Sequence, residues 1–165
     1  MNTVSCTIDK QTITIHGNSL NEFNTQTELD EIENFNKLTC RFSSIIIDGF
    51  KFNAFKNINL LFDSNNHQLT RIEFKNCDFN CPDELVIVSN LCNLFYLGFK
   101  NCDFNKSNFA WMISNCENLT TVEFNDCNTK QVEFYEYMFN GCPYVSNIFN
   151  SEYGGLVVNE FEGYI

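Results

Sequence analysis

A repeat of about 25 residues constrains the fold of this chain more than any other feature of its sequence. Residues 69–79 read LTRIEFKNCDF, residues 94–104 read LFYLGFKNCDF, and residues 119–129 read LTTVEFNDCNT, so the segments begin at intervals of 25 residues. Weaker copies at 13–20, 42–52 and 145–150 extend the series to six units. A fixed period of this length predicts that each unit buries its apolar side against its neighbours.

The two halves of each unit differ in the spacing of their apolar residues. In the first half apolar and polar residues alternate, as at Ile72 and Phe74, which is typical of a strand buried on one side. The second half has helical spacing. The positions that predict helices are Leu29, Ile32, Phe35, Phe55, Ile58, Leu61, Phe62, Leu85, Val88, Leu91, Phe109, Met112, Ile113, Cys116, Phe134, Met138 and Cys142. Each unit is therefore predicted to run strand, turn, helix.

The pattern L-x-x-[LIV]-x-[LF]-x-x-C resembles the leucine-rich repeat. The segments Cys116-Glu-Asn-Leu119 and Cys142-Pro-Tyr-Val145 are similar to its cysteine-containing, ribonuclease-inhibitor-like subtype, although Phe replaces Leu at many core positions. The resemblance implies an α/β fold, a right-handed leucine-rich-repeat solenoid of about six turns. Parallel strands would line its concave face and helices its convex face.

We expect one leucine-rich-repeat domain over residues 1–165. Its predicted parts are an N-terminal cap at 1–20, main repeats at 42–150 and a C-terminal cap at 151–165. Alternating Val4, Cys6 and Ile8 predict a hairpin with residues 12–16 in the first cap. A rival fold follows from the five-residue step of Phe99, Phe104 and Phe109, which is typical of pentapeptide β-helices. The step fails in the run LVIV at 85–88, so the leucine-rich repeat is favoured.

Charge and cysteine usage limit the classes of partner and the compartment. Ten basic and 21 acidic side chains give a formal net charge of −11, and the basic residues are scattered, which argues against nucleic acid. No apolar run approaches the roughly 18 residues of a membrane span. Nine cysteines, several in step with the repeat, are interpreted as reduced core thiols, and the predicted location is cytoplasmic.

The cysteines and histidines give no pattern of a metal site or of thiol catalysis. Cys77, Cys102 and Cys127 occupy one column of the repeat and are expected to form a buried ladder that satisfies loop amides. His16 and His67 lie in different units, remote from that column. We therefore predict no metal, no cofactor and no catalytic residue.

Paired carboxylates occur once in the sheet, at Glu73 and Glu123, which share a column two units apart. With Lys75 and Lys100 nearby, a solvated and salt-bridged face is favoured over an acid and base pair. The chain is therefore predicted not to be an enzyme.

The outward strand positions form the predicted partner-binding face. Ile46, Tyr96 and Phe149 are expected to act as apolar anchors and Arg71 as a directional charge. The full predicted site is Ile46, Asp48, Arg71, Glu73, Lys75, Tyr96, Lys100, Glu123, Asn125 and Phe149.

The sequence thus predicts a protein–protein interaction module that binds a protein of unknown identity through the concave sheet. The alternative is a small structural subunit of a larger multiprotein assembly, docked through its end caps or through convex helices that carry the acidic stretch 28–33. An enzyme is the third and least favoured class. The oligomeric state is left open.

Overall fold

The computed structural model describes most of the chain. The described residues are 5–17, 29–52, 57–62, 64–80, 84–105, 107–132 and 137–150, and for 29–31 and 147–150 only the backbone is described. The proposed C-terminal cap at 151–165 and the helix positions Phe55 and Phe134 lie outside these residues.

A seven-stranded mixed sheet dominates the described residues. The first pair of strands, Ser5–Asp9 and Thr12–His16, is antiparallel, and every later pair of neighbours in this sheet is parallel. Its strands, in spatial order, are β1 (Ser5–Asp9), β2 (Thr12–His16), β3 (Ser44–Asp48), β4 (Arg71–Lys75), β6 (Tyr96–Lys100), β8 (Thr121–Asn125) and β9 (Asn147–Asn150). The strands β5 (Val88–Ser89) and β7 (Ile113–Ser114) form a second, two-stranded parallel sheet.

The strands follow the sequence repeat residue for residue. Ile72 pairs with Leu97, and Leu97 pairs with Val122, so equivalent positions of successive units lie side by side. The predicted alternation is confirmed in β4 and β8, where every second side chain is fully buried. The predicted hairpin is present as β1 and β2, and the first helix is present as α1 (Leu29–Thr39).

The predicted fold class, an α/β leucine-rich-repeat solenoid of about six turns with helices on its convex face, is wrong. Within the described residues, α1 is the only α-helix, and one further short 3-10 helix spans Ile58–Leu61. The segments after β4, β6 and β8 contain no helix in their described parts. The molecule is a strand-rich mixed sheet, so the assignment to leucine-rich repeats is also withdrawn.

The second halves of the units are extended and turning because their backbone bonds run between units. Ile87 N–H donates to the Met112 carbonyl at 2.9 Å, and Ile113 N–H donates to the Met138 carbonyl at 3.0 Å. An α-helix would instead place these bonds four residues apart within one segment. Asn90 and Asn115 have φ of 58° and 50°, a left-handed conformation that a right-handed helix excludes.

The helices predicted from apolar spacing are wrong because that spacing reflects burial, which extended segments also require. Leu85, Val88, Phe109 and Met112 are all fully buried, as a helix would also require. The run Val86-Ile87-Val88 is β-branched throughout, which disfavours a helix and suits extended backbone. Isolated parallel bridges such as Asn57 with Val86 continue the lateral pairing outside the named strands.

Two columns of phenylalanine rings fill the core between the sheet and these segments. Phe74, Phe99 and Phe124 stack at centroid distances of 5.5 and 4.9 Å, and Phe79 stacks on Phe104 at 4.7 Å. Edge-to-face contacts join the columns, including Phe99 with Phe104 at 5.2 Å. The five-residue step from Phe99 to Phe104 therefore places these two rings in adjacent columns of one core.

No helix among the described residues has the length and apolar character needed to cross a lipid bilayer.

Candidate functional site

The outer face of the sheet carries three rows of residues set by the strand register. Two rows cross β2, β3, β4, β6, β8 and β9, and the third ends at β8. Pairing in register brings one position of each unit into each row. The rows are Thr12, Ser44, Arg71, Tyr96, Thr121 and Asn147; Thr14, Ile46, Glu73, Gly98, Glu123 and Phe149; and His16, Asp48, Lys75, Lys100 and Asn125. All ten predicted site residues therefore hold register positions in these rows, and the face that carries the rows is here called the sheet face.

Arg71 and Tyr96 form the centre of the sheet face. The guanidinium carbon of Arg71 lies 3.5 Å from the centre of the Tyr96 ring, which is a close cation–π stack. The ring lies across Gly98, where an added Cβ would sit 2.6 Å from the Tyr96 hydroxyl. Gly98 is needed here because it leaves the space that the tyrosine ring fills.

Glu73 holds the basic side chains of β4. Its two carboxylate oxygens accept from Arg71 at 3.0 Å and from Lys75 at 3.2 Å. Burial alone would raise the pKa of Glu73, but the hydrogen bonds and charges of Arg71 and Lys75 outweigh burial and lower it. The carboxylate is thus held ionised between two cations. Of the salt-bridged face predicted from Glu73, Glu123, Lys75 and Lys100, the structure shows the pair of Glu73 with Lys75.

Tyr96, on β6, connects this cluster on β4 to Glu123 on β8. Its hydroxyl donates to Glu123 Oε2 at 2.6 Å, and Asn125 donates to the same oxygen at 3.3 Å. Burial first, and then the hydrogen bond to Glu123, raise the pKa of Tyr96 to about 12. A chain of contacts therefore runs from Lys75 through Glu73, Arg71 and Tyr96 to Glu123, and we call these residues together with Asn125 the central network.

The remaining predicted site residues lie around the central network. Asp48 lies 3.5 Å from the imidazole Nδ1 of His16, and Ile46 is half-buried in the middle row. Lys100 is exposed and has no ion-pair partner among the described residues. Phe149 pairs with Glu123 through the backbone register, and its side chain lies outside the described residues.

A row of polar side chains at the strand ends was missed by the sequence analysis. Asn76 donates to Asp48 Oδ1 at 2.7 Å, and Asn101 donates to Asn76 Oδ1 at 2.7 Å. Both asparagines have a left-handed backbone, with φ of 51° and 52°, which Asn tolerates better than most residues. The signal that could have revealed this row was the dipeptide Lys-Asn at the same place in two units.

The cysteine column is buried as predicted, but its thiols form hydrogen bonds with other partners than predicted. The thiols of Cys77 and Cys102 donate to the carbonyl oxygens of Lys75 at 3.2 Å and of Lys100 at 3.4 Å, so they satisfy carbonyls and not amides. Burial first, and then hydrogen bonds to Cys127 and Cys77, raise the pKa of the Cys102 thiol well above its usual range. A thiol of this kind is a weak nucleophile.

No group of three or more histidine, cysteine or acidic side chains suited to a metal ion occurs in the described part of the chain. Comparisons with protein-family models, with curated proteins and with solved structures find no match to this chain.

Proposed function

We propose that this chain is a protein-binding module whose partner contacts the sheet face around Tyr96. The observation that carries the proposal is the central network, in which partly exposed side chains are held by one another. Side chains already fixed in place lose little conformational entropy when a partner binds. Tyrosine and arginine are also the residue types that most often dominate binding energy at protein interfaces.

The charge of the sheet face supports a protein partner. Three basic residues and three acidic residues lie together there, so the face is close to neutral in a chain of net charge −11. These residues are Arg71, Lys75, Lys100, Asp48, Glu73 and Glu123. A mixed, hydrogen-bonding surface of this kind suits a polar protein surface, whereas a phosphate backbone requires a strongly basic one.

Lys100 is the residue of the sheet face best placed to pair with a partner. Its ammonium group is exposed beside the central network, and no described carboxylate neutralises it. We therefore expect an acidic side chain of the partner above Lys100. The eight described cysteines are free thiols, which supports binding in a reducing compartment such as the cytoplasm.

Charge reversal tests the proposal with a matched pair of lysines. Lys100 and Lys130 are both exposed, but only Lys100 lies on the sheet face. The immobilised chain would capture partners from a cell extract, followed by quantitative mass spectrometry. Lys100→Glu should reduce capture of a specific protein about tenfold, the equivalent of about 1.4 kcal/mol, while Lys130→Glu leaves it unchanged. Equal capture by both variants would exclude the sheet face.

A second candidate function, a fixed subunit of a larger assembly, is favoured by one observation at β1. Ile8 pairs with the fully buried Ile13, yet Ile8 itself is 61% exposed. In the described residues β1 is an edge strand, and an edge strand with an exposed apolar side chain is suited to adding a further strand. Replacement Ile8→Lys should then release the chain from its assembly in size-exclusion chromatography, and an unchanged elution would remove this candidate.

A further inference from the structure

Two exposed aromatic rings stack on each other outside the seven-stranded sheet. The rings of Trp111 and Tyr137 lie 4.8 Å apart with an interplanar angle of 16°. They are 39% and 55% exposed, so neither ring fills the core. They occupy equivalent places in two successive units, since Ile113 N–H donates to the carbonyl of Met138 and so sets the units side by side.

The backbone beneath this pair takes a conformation that large side chains rarely adopt. Trp111 and Tyr137 have φ of 60° and 61°, in the left-handed region that bulky side chains avoid. Among the described residues, five of the six other non-glycine residues with this conformation are asparagine or aspartate, which tolerate it, and the sixth is Lys10. An asparagine or a glycine would make the same turn with less strain. Strain of this kind concentrates at sites of function, where the side chain itself is needed.

The charge of the chain points to a cationic partner. The formal net charge of the whole chain is −11. Aromatic faces attract guanidinium and ammonium groups, with tryptophan the strongest of them, and the negative net charge of the chain adds to that attraction.

We propose that Trp111 and Tyr137 form a docking site for a basic segment of a partner protein, with an arginine or lysine side chain stacked on the exposed aromatic surface. This site is separate in its residues from the sheet face and does not depend on the function proposed for that face. Arginine is preferred over lysine, since its planar guanidinium stacks on a ring as well as carrying charge.

The chain provides its own probe for this site. Trp111 is the only tryptophan in the sequence, so its fluorescence reports directly on the aromatic pair. An oligoarginine peptide should change that fluorescence in a saturable way, an oligolysine peptide should do so at higher concentration, and an oligoglutamate peptide should have no effect. Saturable binding of oligoglutamate, or no response to oligoarginine, would overturn the proposal.

Substitution at Tyr137 separates stacking from general attraction to an acidic protein. Tyr137→Asn removes the ring without changing the charge and relieves the left-handed backbone, so the fold should be retained or stabilised. Oligoarginine should nevertheless bind about fivefold more weakly, because the stacking surface is lost. Tyr144→Asn is the matched control, since Tyr144 is also exposed, at 63%, and lies outside the pair.

Three results would contradict the docking site. Equal weakening by Tyr137→Asn and Tyr144→Asn would mean that the peptide binds by charge alone. Oligoarginine binding that is unchanged in Tyr137→Asn would also mean that the peptide binds by charge alone. A dimer of the wild-type chain that Tyr137→Asn dissociates in sedimentation experiments would assign the aromatic surface to a second copy of the chain and not to a basic segment.

Discussion

Arg71 and Tyr96 stand opposite each other in the register of β4 and β6, and the guanidinium carbon of Arg71 lies 3.5 Å from the centre of the tyrosine ring. Their contact is thus a direct product of the 25-residue repeat, which places equivalent positions of two units side by side. An exposed cation–π pair contributes about 0.5–1 kcal/mol. The main effect of the contact is to fix the position of the ring, because the hydroxyl group of the same tyrosine also donates a hydrogen bond to Glu123.

The first prediction concerns the ionisation of Tyr96, whose pKa is raised to about 12 by burial and by its bond to Glu123. The pKa of a tyrosine in an unfolded chain is about 10. A tyrosine whose pKa is higher in the folded protein contributes its full stabilisation at pH values below about 10. That contribution should be lost as the pH rises from about 10 towards 12. Phenolate absorbance of the wild type should show one late titration that Tyr96→Phe removes. A late titration that persists in Tyr96→Phe would show that another tyrosine produces it.

The second prediction concerns Gly98, over which the Tyr96 ring lies. In Gly98→Ala the new Cβ would sit 2.6 Å from the Tyr96 hydroxyl, so the ring must move away from Arg71 and Glu123. The backbone of a strand accepts alanine, and the net loss of unfolding free energy should stay near 1 kcal/mol. The pKa of Tyr96 should fall towards its ordinary value in the same titration experiment. A Tyr96 titration identical to that of the wild type would contradict the packing described here.

The third prediction compares two phenylalanines of the same repeat unit and opposite burial. Phe104 is fully buried in the ring columns, whereas Phe95, immediately before β6, is 48% exposed. Phe104→Ala should cost about 3–5 kcal/mol of unfolding free energy, because it leaves a cavity in the core. Phe95→Ala should cost well under about 1 kcal/mol. Urea denaturation of both variants measures the difference, and similar costs would refute the two-column core.

The fourth prediction concerns the accessibility of the thiols. Cys6 and Cys92 are exposed, while the described core thiols are buried and the pKa of Cys102 is well raised, by burial above all. A thiol reagent added to the native protein should label Cys6 and Cys92 rapidly. The buried thiols should react only at the rate of unfolding, since reaction requires an accessible thiolate; they are Cys77, Cys102, Cys116, Cys127 and Cys142. Rapid native labelling of Cys102, detected by peptide mass spectrometry, would show that the column is open to solvent.

The sequence was sufficient to predict the strands of the seven-stranded sheet, but not β5 and β7, and which of their residues share the sheet face. The reason is physical. Strand side chains alternate strictly between two sides, so the burial of Ile72 and Phe74 places Arg71, Glu73 and Lys75 on the other side. The contact of Arg71 with Tyr96 could not be predicted in the same way. It depends on side-chain conformation and on the space left by Gly98.

The second half of each unit was not predictable from apolar spacing alone. Met112 and Ile113 are buried in an extended segment as completely as they would be in a helix, so their pattern does not distinguish the two. The decisive features are the left-handed residues Trp111 and Asn115, which only a structure reveals. The aromatic pair of Trp111 and Tyr137 was missed because a predicted helix gave no reason for the two rings to stack.

Site-specific photocrosslinking in cells tests the central claim, that a partner binds the sheet face, most directly. Benzoylphenylalanine would replace Thr121, which is half-buried on β8 in the row of Tyr96, in one variant and Lys130, an exposed lysine outside the sheet, in the other, so that Lys100 is kept in both. The account predicts a crosslink to a specific protein from position 121 and none to that protein from position 130. A partner crosslinked from position 130 but not from position 121 would contradict it.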